Sequence, residues 1–115
     1  MSVPHTPLFV KTHDFIVWLI RHTQRFAKNL RHSFTNRLEN LAFDFEQSLL
    51  AANVVRGAER QRWLEIADGQ LLGLRALLRY AADWSLWGGR QTQFAAESMA
   101  ELGRLLGAWR KGTDR

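Results

Sequence analysis

Both prolines of this chain, Pro4 and Pro7, stand in its first seven residues, and the 108 residues that follow contain none. A proline inside a helix removes a backbone donor and clashes with the preceding turn, so its absence leaves the chain free to form long helices. Apolar residues use that freedom at helical spacing. Phe34, Leu38, Leu41, Phe45, Leu49 and Ala52 recur every three or four positions, as do Trp63, Ala67, Leu71, Leu74, Leu78 and Ala81. A third seam runs through Ala95, Met99, Leu102, Leu106 and Trp109. A spacing of three and four puts each set on one face of a helix, where it can be buried. No stretch alternates with the period of two that a half-buried strand needs.

The expected elements follow. A first helix begins near Lys11 to Asp14, with Thr12 as its cap and Phe15, Trp18, Leu19 and His22 or Phe26 on one face. A junction over 26–32 leads to the second helix. The third spans about 58–86 and the fourth about 92–111, with Gly57, Gly88, Gly89 and Gly112 near helix ends. The architecture expected is all-α, an up-and-down four-helix bundle over 12–111, with tails at 1–11 and 112–115. An apolar fraction of 46% in 115 residues supports one core.

Charge is distributed very unevenly. Between Phe15 and Leu38 there is no Asp or Glu, while Arg21, Arg25, Lys28, Arg31 and Arg37 all fall there. These five equal the whole net charge of +5; the other 11 Lys and Arg are matched by 11 Asp and Glu. A one-signed cluster attracts polyanions or an acidic partner surface. If the first helix continues past Gln24, Arg21, Arg25 and Lys28 share one face, a strip for phosphates with His22 and His32 as further donors. The competing reading is a solvated helix face with ordinary ion pairs. A second pair, Arg75 and Arg79, either pairs with Glu97 or Glu101 of the fourth helix or faces outward to grip a partner. Arg104 lies within a helical turn of Glu101 and reads as structural.

Two helices carry glycines four apart, Gly69 with Gly73 and Gly103 with Gly107. Each interior glycine costs about 0.5–1 kcal/mol against alanine. Close helix approach, within or between subunits, would compensate and is the preferred reading for Gly103 and Gly107, while Gly69 and Gly73 read as tolerated surface positions. Gly103→Leu is expected to break the bundle or its assembly. Trp84 and Trp87 stand at the end of the third helix, either stacking bases, filling a subunit interface or capping the core.

The composition excludes several chemistries. With no cysteine, disulfides, thiolate metal sites and thiol catalysis are impossible. His5, His13, His22 and His32 show no metal-ligand spacing, Glu97 and Glu101 lack the Glu-x-x-His partner of di-iron bundles, and no phosphate-binding glycine loop is present. No catalytic residue, cofactor or metal is expected. The longest apolar run, Phe15 to Ile20, is six residues, far below a membrane span, and no secretion signal is evident. The expected location is cytoplasmic.

Several motifs in order carry a resemblance. His13-Asp14-Phe15 with Trp18, then Arg37-Leu38, then Ala67-Asp68, Leu74-Arg75, Leu78-Arg79 and Ala81 are followed by Glu101-Leu102-Gly103-Arg104-Leu105-Leu106-Gly107-Ala108-Trp109 and Lys111. Over roughly 13–111 the chain resembles the accessory variability determinant (Avd) proteins of diversity-generating retroelements, four-helix bundles related to those encoded in ribosomal RNA intervening sequences. It departs from them at Arg21 and Ala27, where prolines are usual, and at Gln91-Thr92, where Gln-Tyr is usual.

The resemblance implies a non-catalytic factor that forms a homo-oligomeric barrel, typically pentameric. It further implies association with a reverse transcriptase and with RNA or DNA in support of mutagenic retrohoming. Under it the binding residues would be Arg21, Arg25, Lys28, Arg31, Arg37, Arg75 and Arg79. The alternative is a bundle of the intervening-sequence type, a structural or protein-interaction module that does not touch nucleic acid.

Overall fold

A computed structural model describes residues 5–113, all but a few of which lie in helices, with no strand among them. Four long helices form a bundle: α1 (Thr6–His22), α2 (Asn36–Asn53), α3 (Gly57–Asp83) and α4 (Gly89–Thr113). Each packs on its neighbour in sequence, and α4 returns to α1. Connections of a few residues between α2, α3 and α4 force those helices to run antiparallel. The long dimension of 45 Å is close to the length of α3 alone, roughly 40 Å at the α-helical rise.

The first helix starts earlier than its sequence suggests. It begins at Thr6, with Pro7 in the first turn, where a missing N–H removes no helical bond and the fixed φ suits the helix. Residues 6–11 are therefore helix, not tail, and Leu8 enters the core at 1% exposure. Thr12 is no cap: it is buried within α1, its hydroxyl donating to the Leu8 carbonyl at 2.7 Å. Residues 1–4 of the expected tail lie outside the described residues. At the other end α4 runs on through Thr113, so 112 and 113 are helical as well.

The core seams match expectation except at two steps. In α3 the buried residue is Leu64, at 0% exposure, while Trp63 is 37% exposed. Leu64, Ala67, Leu71, Leu74, Leu78 and Ala81 alternate threes and fours, whereas starting from Trp63 takes two fours in succession and drifts off the face. For the same reason Ala42 takes the buried place in α2, and Leu41 packs at its edge. Trp109 is buried near the start of α1, stacked on His5 at 4.5 Å, beside Phe9 and under the Arg60 guanidinium at 5.7 Å. Arg60 also closes α2, donating from Nε to the Ala52 carbonyl at 2.9 Å.

The glycine pairs divide. A Cβ at Gly73 would meet Leu41 Cδ2 at 2.9 Å, so this glycine lets α2 and α3 close. A Cβ at Gly103 would meet the Arg75 guanidinium at 2.6 Å. Gly69 and Gly107 face open space. One glycine of each pair serves packing, and neither pair acts as a unit.

Helix α3 ends at Asp83, short of Leu86. Ser85 has φ +54°, the Ser85 N–H donates to the Ala82 carbonyl at 3.0 Å, and the Leu86 N–H donates to the Ala81 carbonyl at 2.9 Å. These two bonds around a left-handed residue make a Schellman turn, a place usually held by glycine.

Candidate nucleic-acid interface

The acid-free segment folds into the connection between α1 and α2. Helix α1 stops at His22, a short 3-10 turn covers Lys28–Leu30, and a π-helical turn covers Arg31–Thr35 before α2. The stop is built by specific bonds. Buried Thr23 donates its N–H to the Leu19 carbonyl at 2.9 Å, and its hydroxyl donates to Glu39 Oε2 at 2.6 Å. The indole N–H of Trp87 satisfies the His22 carbonyl at 2.8 Å, one of those a helix end leaves unpaired. Phe26 and Phe34 anchor the loop inward, their rings 6.3 Å apart, with Phe26 5.2 Å from Trp87.

With its apolar residues inside, the connection turns its cations out. Arg21, Arg25, Lys28 and Arg37 are exposed, and none forms an ion pair among the described residues. They do not form one helical strip, because α1 ends before Arg25; they are spread over a helix end, a turn and the start of α2. Arg31 differs from them. Its guanidinium donates to Glu39 at 3.2 Å and to Asn36 at 3.3 Å. Glu39, whose side chain is only 13% exposed, thus binds Thr23 and Arg31 together and holds the junction to α2. Of the two histidines, His32 is exposed, while His22 stacks on Trp18 at 4.5 Å and donates from Nδ1 to the Trp18 carbonyl.

Of the two readings of Arg75 and Arg79, the pairing with Glu97 or Glu101 does not form. Arg75 instead donates to the Met99 carbonyl of α4 at 3.0 Å, over the space that Gly103 leaves. Glu101 is taken by Arg104 at 2.7 Å, and that hydrogen bond holds its carboxyl below the usual range. Glu97 accepts from Gln93, and Asp68 pairs with Arg110 at 3.3 Å. Arg79 is exposed and makes no ion pair among the described residues. Both arginines border a half-open apolar cavity of about 310 Å³ between α3 and α4, floored by Leu78, Ala95 and Met99.

The two tryptophans after α3 take separate roles. Trp87 joins the core, 5.1 Å from Trp18. Trp84 stays 51% exposed, its ring 5.3 Å from Phe34 in a T-shaped pair. Tyr80, one helical turn before it and 52% exposed, lies 5.4 Å from it. Tyr80 was not singled out from the sequence, although its i, i+4 relation to Trp84 is visible there.

Among the described residues no three His, Asp or Glu side chains gather as a metal site, and no helix is long and apolar enough to cross a membrane. The geometry therefore defines a class: a four-helix bundle with an exposed, one-signed connection at one end. Neither a family model nor a curated protein matches the chain.

Proposed function

We propose that this bundle is a non-catalytic accessory protein that binds RNA or DNA through the α1–α2 connection and presents it to a partner enzyme. The partner suggested by the motif resemblance is the reverse transcriptase of a diversity-generating retroelement, with retrohoming the process served. The observation that carries the reading is the set of four exposed cations without acidic partners, Arg21, Arg25, Lys28 and Arg37, in a segment of 24 residues lacking Asp and Glu. A balanced surface would need no such segment for solubility. Arg31 belongs to the framework of this surface, fixing its shape through Glu39.

Self-association is the second part of the proposal. Val10 and Val17 on α1 and Phe43 and Leu50 on α2 are each between 41% and 50% exposed. Exposed apolar residues recurring along two adjacent helices favour a subunit contact. A homo-oligomer, the pentamer of the resemblance, would repeat the basic connection around one rim. The same apolar residues favour the alternative of a protein-interaction module, which differs in having no affinity for nucleic acid.

Binding of RNA measured over a series of salt concentrations tests the proposal, with a variant in which Arg21, Arg25, Lys28 and Arg37 become Gln. Each phosphate neutralised on a single strand contributes a salt slope of about −0.7. The wild type is expected to bind with a steep slope, and the variant to lose most of both affinity and slope at unchanged melting temperature. Wild-type protein that fails to bind RNA or DNA at physiological salt would leave the interaction-module reading.

A further inference from the structure

We infer that Tyr80 and Trp84 form a stacking platform for unpaired bases beside the basic connection, so that the nucleic acid this protein takes is single-stranded. The inference rests on the proposed nucleic-acid reading and adds the form of the ligand. Both rings are about half exposed and lie against one another at 5.4 Å and 36°. Neither is loose. Tyr80 is inside α3, Trp84 is the capping residue of that helix, and Trp84 stands at a steep angle of 71° to the buried Phe34 ring. A rigid, half-exposed aromatic ladder has π-faces ready without an ordering cost.

Cations of the acid-free segment and of α3 border the platform. Phe34 belongs to the π turn between Arg31 and Arg37, so Trp84 sits against the acid-free segment itself. Arg79 borders the shallow cleft that holds Tyr80 and Ala76, and Ala76 also borders the cleft of His32 and Arg37. Each cleft also holds one carboxylate, Asp83 beside Tyr80 and Asp44 beside Arg37.

Charge alone would accept duplex and single strand alike. Exposed aromatic faces discriminate, because bases in a duplex are stacked on one another, whereas unpaired bases can stack on Tyr or Trp. Arginine flanking adds planar cations of the kind that grip phosphate and also stack.

The test compares a labelled, unstacked oligouridylate with an RNA duplex of equal length, both titrated with the full chain. Wild type is expected to bind the unpaired strand more tightly. A Tyr80→Leu, Trp84→Leu variant is expected to lose roughly tenfold or more on the unpaired strand, with duplex binding changed less than about twofold. Trp84→Phe should restore most of the loss, since it keeps a ring. If Trp84→Leu unfolds, Tyr80→Leu alone, at a half-exposed site, is expected to show the single-strand loss. A folded double variant that binds the unpaired strand as wild type does would overturn the platform while leaving charge-driven binding intact. Wild-type binding to neither RNA would overturn the platform and the nucleic-acid reading together.

Discussion

The arginines of α3 and α4 and the cations of the α1–α2 connection are chemically alike, but the fold uses them differently. Arg75 holds the Met99 carbonyl, Arg104 holds Glu101 and Arg110 holds Asp68. In the connection only Arg31 has such a partner, and Arg21, Arg25, Lys28 and Arg37 have none among the described residues. The tryptophans after α3 divide likewise, with Trp87 engaged in the core and Trp84 left at the surface. What separates these residues is whether an acceptor lies within reach. Arg79 of α3, exposed and in no ion pair among the described residues, falls with the cations of the connection. Composition counts both as basic and aromatic; only partner geometry tells a framework residue from one free to meet a ligand.

The tryptophans give the sharpest way to break this comparison. Trp87→Ala removes contacts with Trp18 and Phe26 and leaves the His22 carbonyl without its donor. A loss of about 3 kcal/mol in unfolding free energy is expected. Trp84→Ala, at a half-exposed site, should cost about 1 kcal/mol or less. Urea denaturation of both variants measures the difference, and equal costs would erase the distinction between the two positions.

Arg31 comes next in size. Arg31→Ala leaves the Glu39 carboxylate, largely buried, with only the Thr23 hydroxyl, at an expected cost of about 1–2 kcal/mol. Arg37→Ala, at an exposed position without an ion pair among the described residues, should change stability by less than about 0.5 kcal/mol. If the two melt alike, Arg31 belongs with the free cations.

Gly103 tests the same idea from inside α4. Gly103→Ala should displace the Arg75 guanidinium from Met99, losing a bond of about 1 kcal/mol and gaining about the same from helix propensity. In an Arg75→Ala background nothing remains to displace, and the alanine should stabilise by up to about 1 kcal/mol. Gly107→Ala, in open space, should stabilise in either background. A double-mutant cycle without coupling between 75 and 103 would show that the contact carries no energy. Gly103→Leu, extending toward Leu71 as well, remains the severe case.

How much of this was legible in the sequence depends on how local the cause is. The seams of α2, α3 and α4 are largely readable because helical periodicity is a property of each segment alone. The one-residue slips at Trp63 and Leu41 arise because two large apolar neighbours, or a small one beside a large one, leave the phase of the seam open. The beginning of α1 was not readable, since a proline in a first turn looks the same as one in a tail. Arg31 was grouped with the free cations because its partner, Glu39, lies eight residues on, across a connection whose shape no local pattern predicts. The end of the acid-free run at Leu38 did mark the spot: the first acid beyond it is the one that Arg31 reaches. Arg75 was harder, because its acceptor is a backbone carbonyl, which leaves no trace in the residue types.

The smallest expected effect lies in the turn that sends the two tryptophans to different sides. Ser85 holds the left-handed position at φ +54°, between Trp84 outside and Trp87 inside. A non-glycine residue there carries strain of about 1 kcal/mol. Ser85→Gly relieves that strain but adds freedom to the unfolded chain, so a net gain of about 0.5 kcal/mol is expected. Ser85→Val should cost more than the glycine gains, because a β-branched side chain fits this region poorly. The readout beyond stability is hydrogen exchange of the two indole N–H groups by NMR, Trp84 half exposed and Trp87 bonded to the His22 carbonyl. If the valine variant brings Trp87 to the fast exchange of Trp84, the Schellman turn is what keeps them apart. If it lowers stability but leaves the Trp87 N–H protected, the anchoring of Trp87 on Trp18 and His22 is enough to set the division without the turn.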